Sequence, residues 1–263
     1  MYVKAKKSLG QHFLTDLSVA EKIVASIYRE GEAPSNLLEV GPGTGVLTQF
    51  LLKESSLNLK LVELDSRSVE YLHNHYPNLG DRLIEGDFLK LDLSELFSQN
   101  YMVIGNFPYN ISSQILFKVL DHKDKIESVV GMFQKEVARR IASPPGSREY
   151  GILSVLLQAW YSVEYLFEVG SNSFSPPPKV ESAVIRIVRN SRTQLHCNSD
   201  LFKRVVKAAF GMRRKKISNA IKPLYSHKKD KANLLKESPL MDKRAEQLSV
   251  EQFIELTKLI ELL

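Results

Sequence analysis

The chain has 263 residues, 43% apolar and 25% charged, an ordinary globular composition that excludes a disordered or collagen-like chain. No run of 18 apolar residues offers a transmembrane helix, and a single cysteine, Cys197, allows no intrachain disulfide and reads as a small filler side chain. The net charge of +6 is uneven: residues 191–263 hold 16 Lys and Arg against 8 Asp and Glu, while 1–190 hold 20 against 22. A polyanionic partner would be drawn to the last quarter of the chain. The opening residues lack the apolar core of a signal peptide, so we expect a cytoplasmic protein, and nothing in the pattern asks for more than a monomer.

In chain order, Leu17, Ile23, Val24, Ile27 and Tyr28 recur at helical spacing and predict an amphipathic helix over 16–29, with Ser18 and Glu21 as a capping box. Strand-length apolar runs follow at 37–40, 59–63, 82–85, 101–104 and 128–133, and helical stretches at 46–54, 66–75, 112–121 and 134–142 separate most of them. That alternation predicts an α/β domain over 1–189 with a mostly parallel sheet covered on both faces. Residues 161–169 and 181–189 are two more strands with no helix between them, hence a hairpin-like pair at the sheet edge. Beyond a polar linker at 190–199 the β-branched runs stop, and helices are expected at 200–211, 213–222, 228–236, 242–246 and 250–262. Residues 190–263 therefore read as a small, basic, all-helical C-terminal domain.

Three strand ends carry ligand-binding character. The first runs into Glu39-Val40-Gly41-Pro42-Gly43-Thr44-Gly45, where glycines let the backbone approach a ligand at a helix start. Val46 stands where a dinucleotide fingerprint needs glycine, which disfavours a nicotinamide cofactor. The second strand ends in Glu63, an acidic residue placed to take two ribose hydroxyls. The third leads to Gly86-Asp87-Phe88, where a carboxylate can accept the exocyclic amine of an adenine ring and Phe88 can pack on its face. Taken singly, each of these fits a plain turn or a solvated strand end; in order along one sheet they point to a nucleoside-bearing cofactor.

The fourth strand ends in Gly105-Asn106-Phe107-Pro108-Tyr109-Asn110-Ile111-Ser112. The exocyclic amine of adenine is a poor nucleophile because its lone pair is delocalised into the ring. A site that methylates it must hold both N–H groups and let the lone pair point at a sulfonium methyl. The Asn106 side-chain oxygen can accept one N–H, and the carbonyl of Phe107 or of Pro108 the other. Tyr109 offers a face for the base. No strong base is required, because positioning and hydrogen bonding supply most of the effect.

Asn106-Phe107-Pro108-Tyr109 resembles the Asn/Asp-Pro-Pro-Tyr-type motif of amino methyltransferases, and its longer form through Ser112 resembles that of KsgA-type ribosomal RNA adenine dimethyltransferases. Three further segments resemble signatures of that family: 7–14 (Lys-Ser-Leu-Gly-Gln-His-Phe-Leu), 174–182 (Phe-Ser-Pro-Pro-Pro-Lys-Val-Glu-Ser) and 210–216 (Phe-Gly-Met-Arg-Arg-Lys-Lys). The resemblance implies a Rossmann-like methyltransferase sheet and S-adenosylmethionine as cofactor. It places His12 and Leu14 along the cofactor's methionine side, Gly41 and Gly43 against it, Glu63 on its ribose, Asp87 and Phe88 at its adenine, and Asn106 on both cofactor and target amine. Tyr109 and Phe174 would sandwich the flipped target base. Phosphates of the RNA would meet Arg204, Lys207, Arg213, Arg214, Lys215 and Lys216. His12 is a departure, standing where the family more often has Asn. The implied reaction is dimethylation of two adjacent adenosines near the 3′ end of 16S rRNA in a partly assembled small subunit. Three other readings compete: the sister family that methylates large-subunit RNA, disfavoured by the Arg-Arg-Lys-Lys segment and the length of the helical part; a non-catalytic RNA-binding assembly factor, disfavoured by the intact strand-end set; and a protein or free-amino-acid methyltransferase, which leaves the basic C-terminal part unexplained. The histidines show no metal-ligand spacing, so no metal is expected.

Overall fold

The computed structural model describes residues 3–6, 9–28, 31, 33–226, 235 and 237–263. The chain forms two compact units: Met1–Ala138 with Val163–Arg189, and Arg139–Ser162 with Asn190–Leu263. The boundary expected at 189/190 is not the whole division: by its contacts Arg139–Ser162 belongs with the C-terminal residues.

The first unit is built on a seven-stranded sheet. Its strands, in chain order, are β2 (Asn36–Val40), β3 (Asn58–Glu63), β4 (Leu83–Glu85), β5 (Tyr101–Asn106), β6 (Ile126–Gln134), β7 (Tyr161–Val169) and β9 (Ser182–Arg189), arranged in space β4-β3-β2-β5-β6-β9-β7. The pairs β2–β3, β2–β5, β3–β4 and β5–β6 are parallel, and β9 runs antiparallel to β6. The two late strands are sheet-edge neighbours, with β9 between β6 and β7. The apolar runs explain the central strands: Leu37–Val40 and Tyr101–Gly105 are buried throughout, as strands covered on both faces must be. The chain winds outward from β2 in one direction and from β5 in the other. The crevice at the carboxyl ends of these two strands is where such a sheet binds ligands.

Helices α1 (Leu17–Ala25), α2 (Thr48–Leu51), α3 (Ser66–His75) and α4 (Ser112–Asp121) follow the strands, and α5 (Lys135–Ala142) continues from β6. Helix α1 is capped differently from expectation. Asp16 accepts the N–H groups of Ser18 and Val19, so the helix starts one residue before Ser18, and it stops at Ala25 rather than 29. Helix α2 is only four residues long, because 43–47 is a turn rather than helix. A two-stranded ribbon, β1 (Phe13–Leu14) with β8 (Phe174–Ser175), ties the N-terminal segment to the loop before β9.

The second unit is helical: α6 (Ile152–Gln158), α7 (Ser199–Gly211), α8 (Ile217–Ala220) and α9 (Val250–Glu261). Asn198 caps α7 through the Leu201 N–H, and Ser249 and Gln252 form a capping box on α9. Phe210 anchors its core between Tyr150 (6.0 Å) and Phe253 (5.9 Å). The helix expected over 213–222 is real only at 217–220, with a 3-10 turn at 222–224, and that over 242–246 resolves into 3-10 turns at 239–242 and 245–247. The helix expected at 228–236 lies outside the described residues, apart from Leu235.

Candidate active site

The carboxyl ends of β2, β3, β4 and β5 surround a cleft of about 240 Å³. Its lining contains His12, Leu14, Gly41, Gly43, Glu63, Asp87, Phe88 and the run Asn106 to Tyr109, so four separate strand ends and the N-terminal segment meet there. Gly41 and Gly43 both take a positive φ, +68° and +59°, which favours glycine. A Cβ built on Gly41 would meet nothing within 4 Å, and the same holds at Gly86. The backbone is bare toward the cleft at both places.

Glu63 is 5% exposed and stitches this wall together. Its Oε2 accepts the Gly43 N–H and its Oε1 the Asp65 N–H, each at 2.9 Å. Burial pushes its carboxyl above the usual range, and the donated N–H groups pull the other way. Glu39, a strand residue given no role from the sequence, is a lining residue too. It is 1% exposed, accepts the Thr48 hydroxyl at 2.7 Å, and burial pushes its carboxyl up to about 8. Leu64, given no role from the sequence, also lines the cleft and leaves half its surface bare. An apolar side chain directly after an acidic strand end was the available signal. Asp87 closes its own loop, its Oδ1 taking the Leu89 N–H at 2.9 Å, with Phe88 buried beside it. Glu39, Glu63 and Asp87 give the lining three carboxyl groups, and its described residues include no lysine or arginine.

The N-terminal segment forms the opposite wall. Asp65, almost fully buried, receives the Arg67 guanidinium at 2.6 and 3.0 Å, the Gln11 amide at 3.1 Å and the Lys6 ammonium at 3.4 Å. Arg67 first, then Gln11 and Lys6, hold its carboxyl far below the ordinary range against the cost of burial. The Phe13 ring covers Gly43 so closely that a Cβ there would lie 2.9 Å from it.

At the end of β5, the Asn106 Nδ2 donates to the His12 carbonyl at 3.1 Å, which leaves Oδ1 as the accepting atom of the amide. The Pro108 carbonyl accepts the Ile111 N–H at 3.2 Å, so of the two carbonyls weighed above that of Phe107 is the freer. The Phe107 ring is buried against Phe133 at 5.1 Å, over the bare backbones of Gly105 and Gly131. The Tyr109 hydroxyl bonds to Ser182, its ring stacks on His12 at 5.5 Å and 27°, and burial raises its pKa. His12 is fixed in turn by Nδ1 on the Pro176 carbonyl, 2.8 Å away.

Two expected residues stand elsewhere. Phe174 is 4% exposed in the hydrophobic core beside Leu14 and does not line the cleft; its place in β8, paired with Leu14, turns it inward. In the second unit Arg213 is committed to the fold, donating to the carbonyls of Ser147 and Arg148 and lying 3.6 Å from Glu246. Lys216 pairs at the surface with Asp242. Arg204, Lys207, Arg214 and Lys215 are exposed.

A parallel sheet with this strand order, carrying an Asn-Phe-Pro-Tyr end on β5 beside a glycine loop and an acidic β3 end, defines a Rossmann-like methyltransferase acting on an amino group. The ribosomal RNA adenine dimethylase family model matches residues 2–262. The chain belongs to that family. It is 57% identical over 255 residues to the ribosomal RNA small subunit methyltransferase A of Parabacteroides distasonis, covering 97% of this chain and 93% of that one. To the protein of the same description from Cytophaga hutchinsonii it is 53% identical, with 98% of each covered. Among solved structures it is similar to a dimethyladenosine transferase from Plasmodium falciparum, with a TM-score of 0.76, 26% identity and 93% and 96% of the two chains covered. The 23S rRNA methyltransferase ErmE shares the fold at a TM-score of 0.67 and 21% identity, over 95% and 99%. Among the described residues no helix is long and apolar enough to cross a membrane, and no cluster of His, Cys, Asp and Glu could hold a metal ion.

Proposed function

We propose that this enzyme uses S-adenosylmethionine to dimethylate the exocyclic amines of two adjacent adenosines near the 3′ end of 16S rRNA, acting as a cytoplasmic monomer on the assembling small subunit. One observation carries the cofactor reading: Gly41, Glu63, Asp87 and Asn106 stand at successive strand ends around one cleft whose described lining holds three carboxyl groups and no lysine or arginine. A cation with two vicinal hydroxyls and an amine suits that donor set, and the open space over Gly41 and Gly86 leaves room for it. When bound, S-adenosylmethionine supplies a methyl group on a positively charged sulfur.

The protein's own part is positional. Asn106 Oδ1 and the Phe107 carbonyl accept the two N–H groups of the target amine and turn its lone pair toward the cofactor. Tyr109 stacks on the base, with its ring set by Ser182 and His12. A base presented this way must have left its helix, which unpaired RNA allows at least cost. Arg204, Lys207, Arg214, Lys215 and Lys216 hold phosphates.

The test is methyl transfer from labelled S-adenosylmethionine to unmethylated small subunits, with large subunits in parallel and nucleoside analysis of the product. Dimethyladenosine confined to small-subunit RNA is expected. Label in the large subunit would transfer the protein to the other substrate, and cofactor binding without label in either would make it an assembly factor. Asn106→Ala is expected to lose most transfer while cofactor binding weakens less.

A further inference from the structure

The Asp87–Leu91 loop is one tight turn. The Asp87 carbonyl accepts the N–H groups of Lys90 and Leu91, both at 2.9 Å, while its carboxylate takes that of Leu89. The turn ends at Leu91, and the Leu91 carbonyl receives the ammonium of Lys118. Lys118 lies on α4, the helix that starts directly after the 106–111 segment, and is half-buried with its nitrogen 5.5 Å from the centre of the Phe88 ring. A partly desolvated cation over an aromatic face is attracted to it. Burial lowers the pKa of this ammonium, and the carboxylates of Asp87 and Asp92 oppose that shift. A lysine placed only for solubility would extend into water; this one gives up hydration to join a loop and a helix 27 residues apart in the chain.

We propose that Lys118 is a positioning residue that holds the Asp87–Phe88 loop in register with the Asn106–Tyr109 segment. One side chain thereby keeps the loop that meets the cofactor's adenine in its ligand-ready place. The proposal rests on Asp87 and Phe88 being the adenine site of S-adenosylmethionine. Lys118 is not among the residues lining the cleft. Its effect belongs in cofactor affinity and in the preference for an adenine ring, and not in turnover once the site is filled.

The experiment uses the full chain with Lys118→Met, Lys118→Arg and Asp87→Asn. Dissociation constants are measured for S-adenosylmethionine and for its analogue with hypoxanthine in place of adenine, alongside kcat, KM and the thermal midpoint. For Lys118→Met we expect KM and the dissociation constant for the natural cofactor to rise about tenfold, with kcat at saturation within about twofold of the parent. The adenine-over-hypoxanthine preference should narrow, and Lys118→Arg, which keeps a cation and a donor, should recover most of it. A lower thermal midpoint with unchanged affinity and preference in Lys118→Met overturns the proposal, as does an Arg variant that folds normally yet recovers nothing. If Asp87→Asn leaves affinity and preference intact, the adenine-site reading itself falls. If Asp87→Asn loses both while Lys118→Met loses neither, only the role of Lys118 falls.

Discussion

Gly131→Ala probes the catalytic strand end without replacing a residue that meets substrate. Gly131 lies on β6 beside Gly105, under the Phe107 ring. A Cβ there would sit 2.7 Å from a Phe133 ring carbon and 2.8 Å from Phe107 Cδ2, and nearer still to Phe107 Cε2. Ordinary contact begins at 3.4 Å, so the Phe107 ring must retreat by at least the difference between 2.8 and 3.4 Å, 0.6 Å. It has nowhere soft to go, being 1% exposed and packed on Phe133. Overpacking of that kind costs about 1–3 kcal/mol of stability. The ring is attached to the carbonyl that takes one target N–H, and misplacing a reacting group by ~1 Å costs on the order of 100-fold, so kcat should fall roughly 10- to 100-fold. The cofactor wall at Gly41, Glu63 and Asp87 is built on other strands, and its dissociation constant should change by less than about threefold. Single-turnover methylation of unmethylated small subunits, paired with calorimetric titration of cofactor, measures both. Parental kcat with full occupancy would refute the claim that Phe107 packing sets the catalytic carbonyl, and parallel loss of cofactor affinity would refute the separation of the two walls.

Phe174→Ala should behave as a core deletion, lowering stability by about 3–5 kcal/mol in urea denaturation of the first unit's signal; a variant as stable as the parent would return Phe174 to the target slot. Glu39 makes the cofactor-free protein pH-dependent. Burial raises its carboxyl from the usual 4.5 to about 8, so between those values the folded protein holds a proton that the unfolded chain releases, and stability falls as pH rises through the window. The slope from this group is at most about 1.4 kcal/mol per pH unit, and Glu39→Gln should flatten the curve measured by chemical denaturation from pH 5 to 8. Replacing Arg214 and Lys215 together by Glu should weaken subunit binding and flatten its dependence on log salt by about one to two units at an unchanged thermal midpoint. Arg213→Glu should instead lower the midpoint, because its guanidinium is spent on the Ser147 and Arg148 carbonyls; equal behaviour of the two substitutions would remove the distinction.

The elements most legible from sequence were those whose burial pattern is local. Helices α3 and α4 begin and end where periodicity places them, at 66–75 and 112–121, and β7 spans 161–169 as expected. The strand-end residues were legible because glycine, an acidic residue and Asn-Phe-Pro-Tyr each carry their chemistry in their type. What escaped depends on contacts far along the chain. Nothing near Phe174 signals that pairing with Leu14, 160 residues earlier, will turn its ring into the core. Arg213 looks like its basic neighbours until the Ser147 and Arg148 carbonyls arrive from the other part of the unit. Helix α6 was not legible because Ile152–Leu157 is apolar apart from the buried Ser154, so it shows no helical period.

Helix α6 also bears on how the protein can be made. Leu153, Val155, Leu156 and Leu157 are buried, and the partners of this helix, α7 and α9, are encoded after residue 198. A growing chain therefore completes β9 with these side chains still uncovered, and they stay so until the last helix has left the ribosomal tunnel. Cutting the gene after residue 189 would freeze that intermediate: the fragment would keep every strand of the sheet and yet expose a strip of leucine and valine that invites aggregation. A fragment cut after residue 189 is therefore expected to be poorly soluble even with every strand of the sheet in place, which a sedimentation assay of the expressed fragment would check.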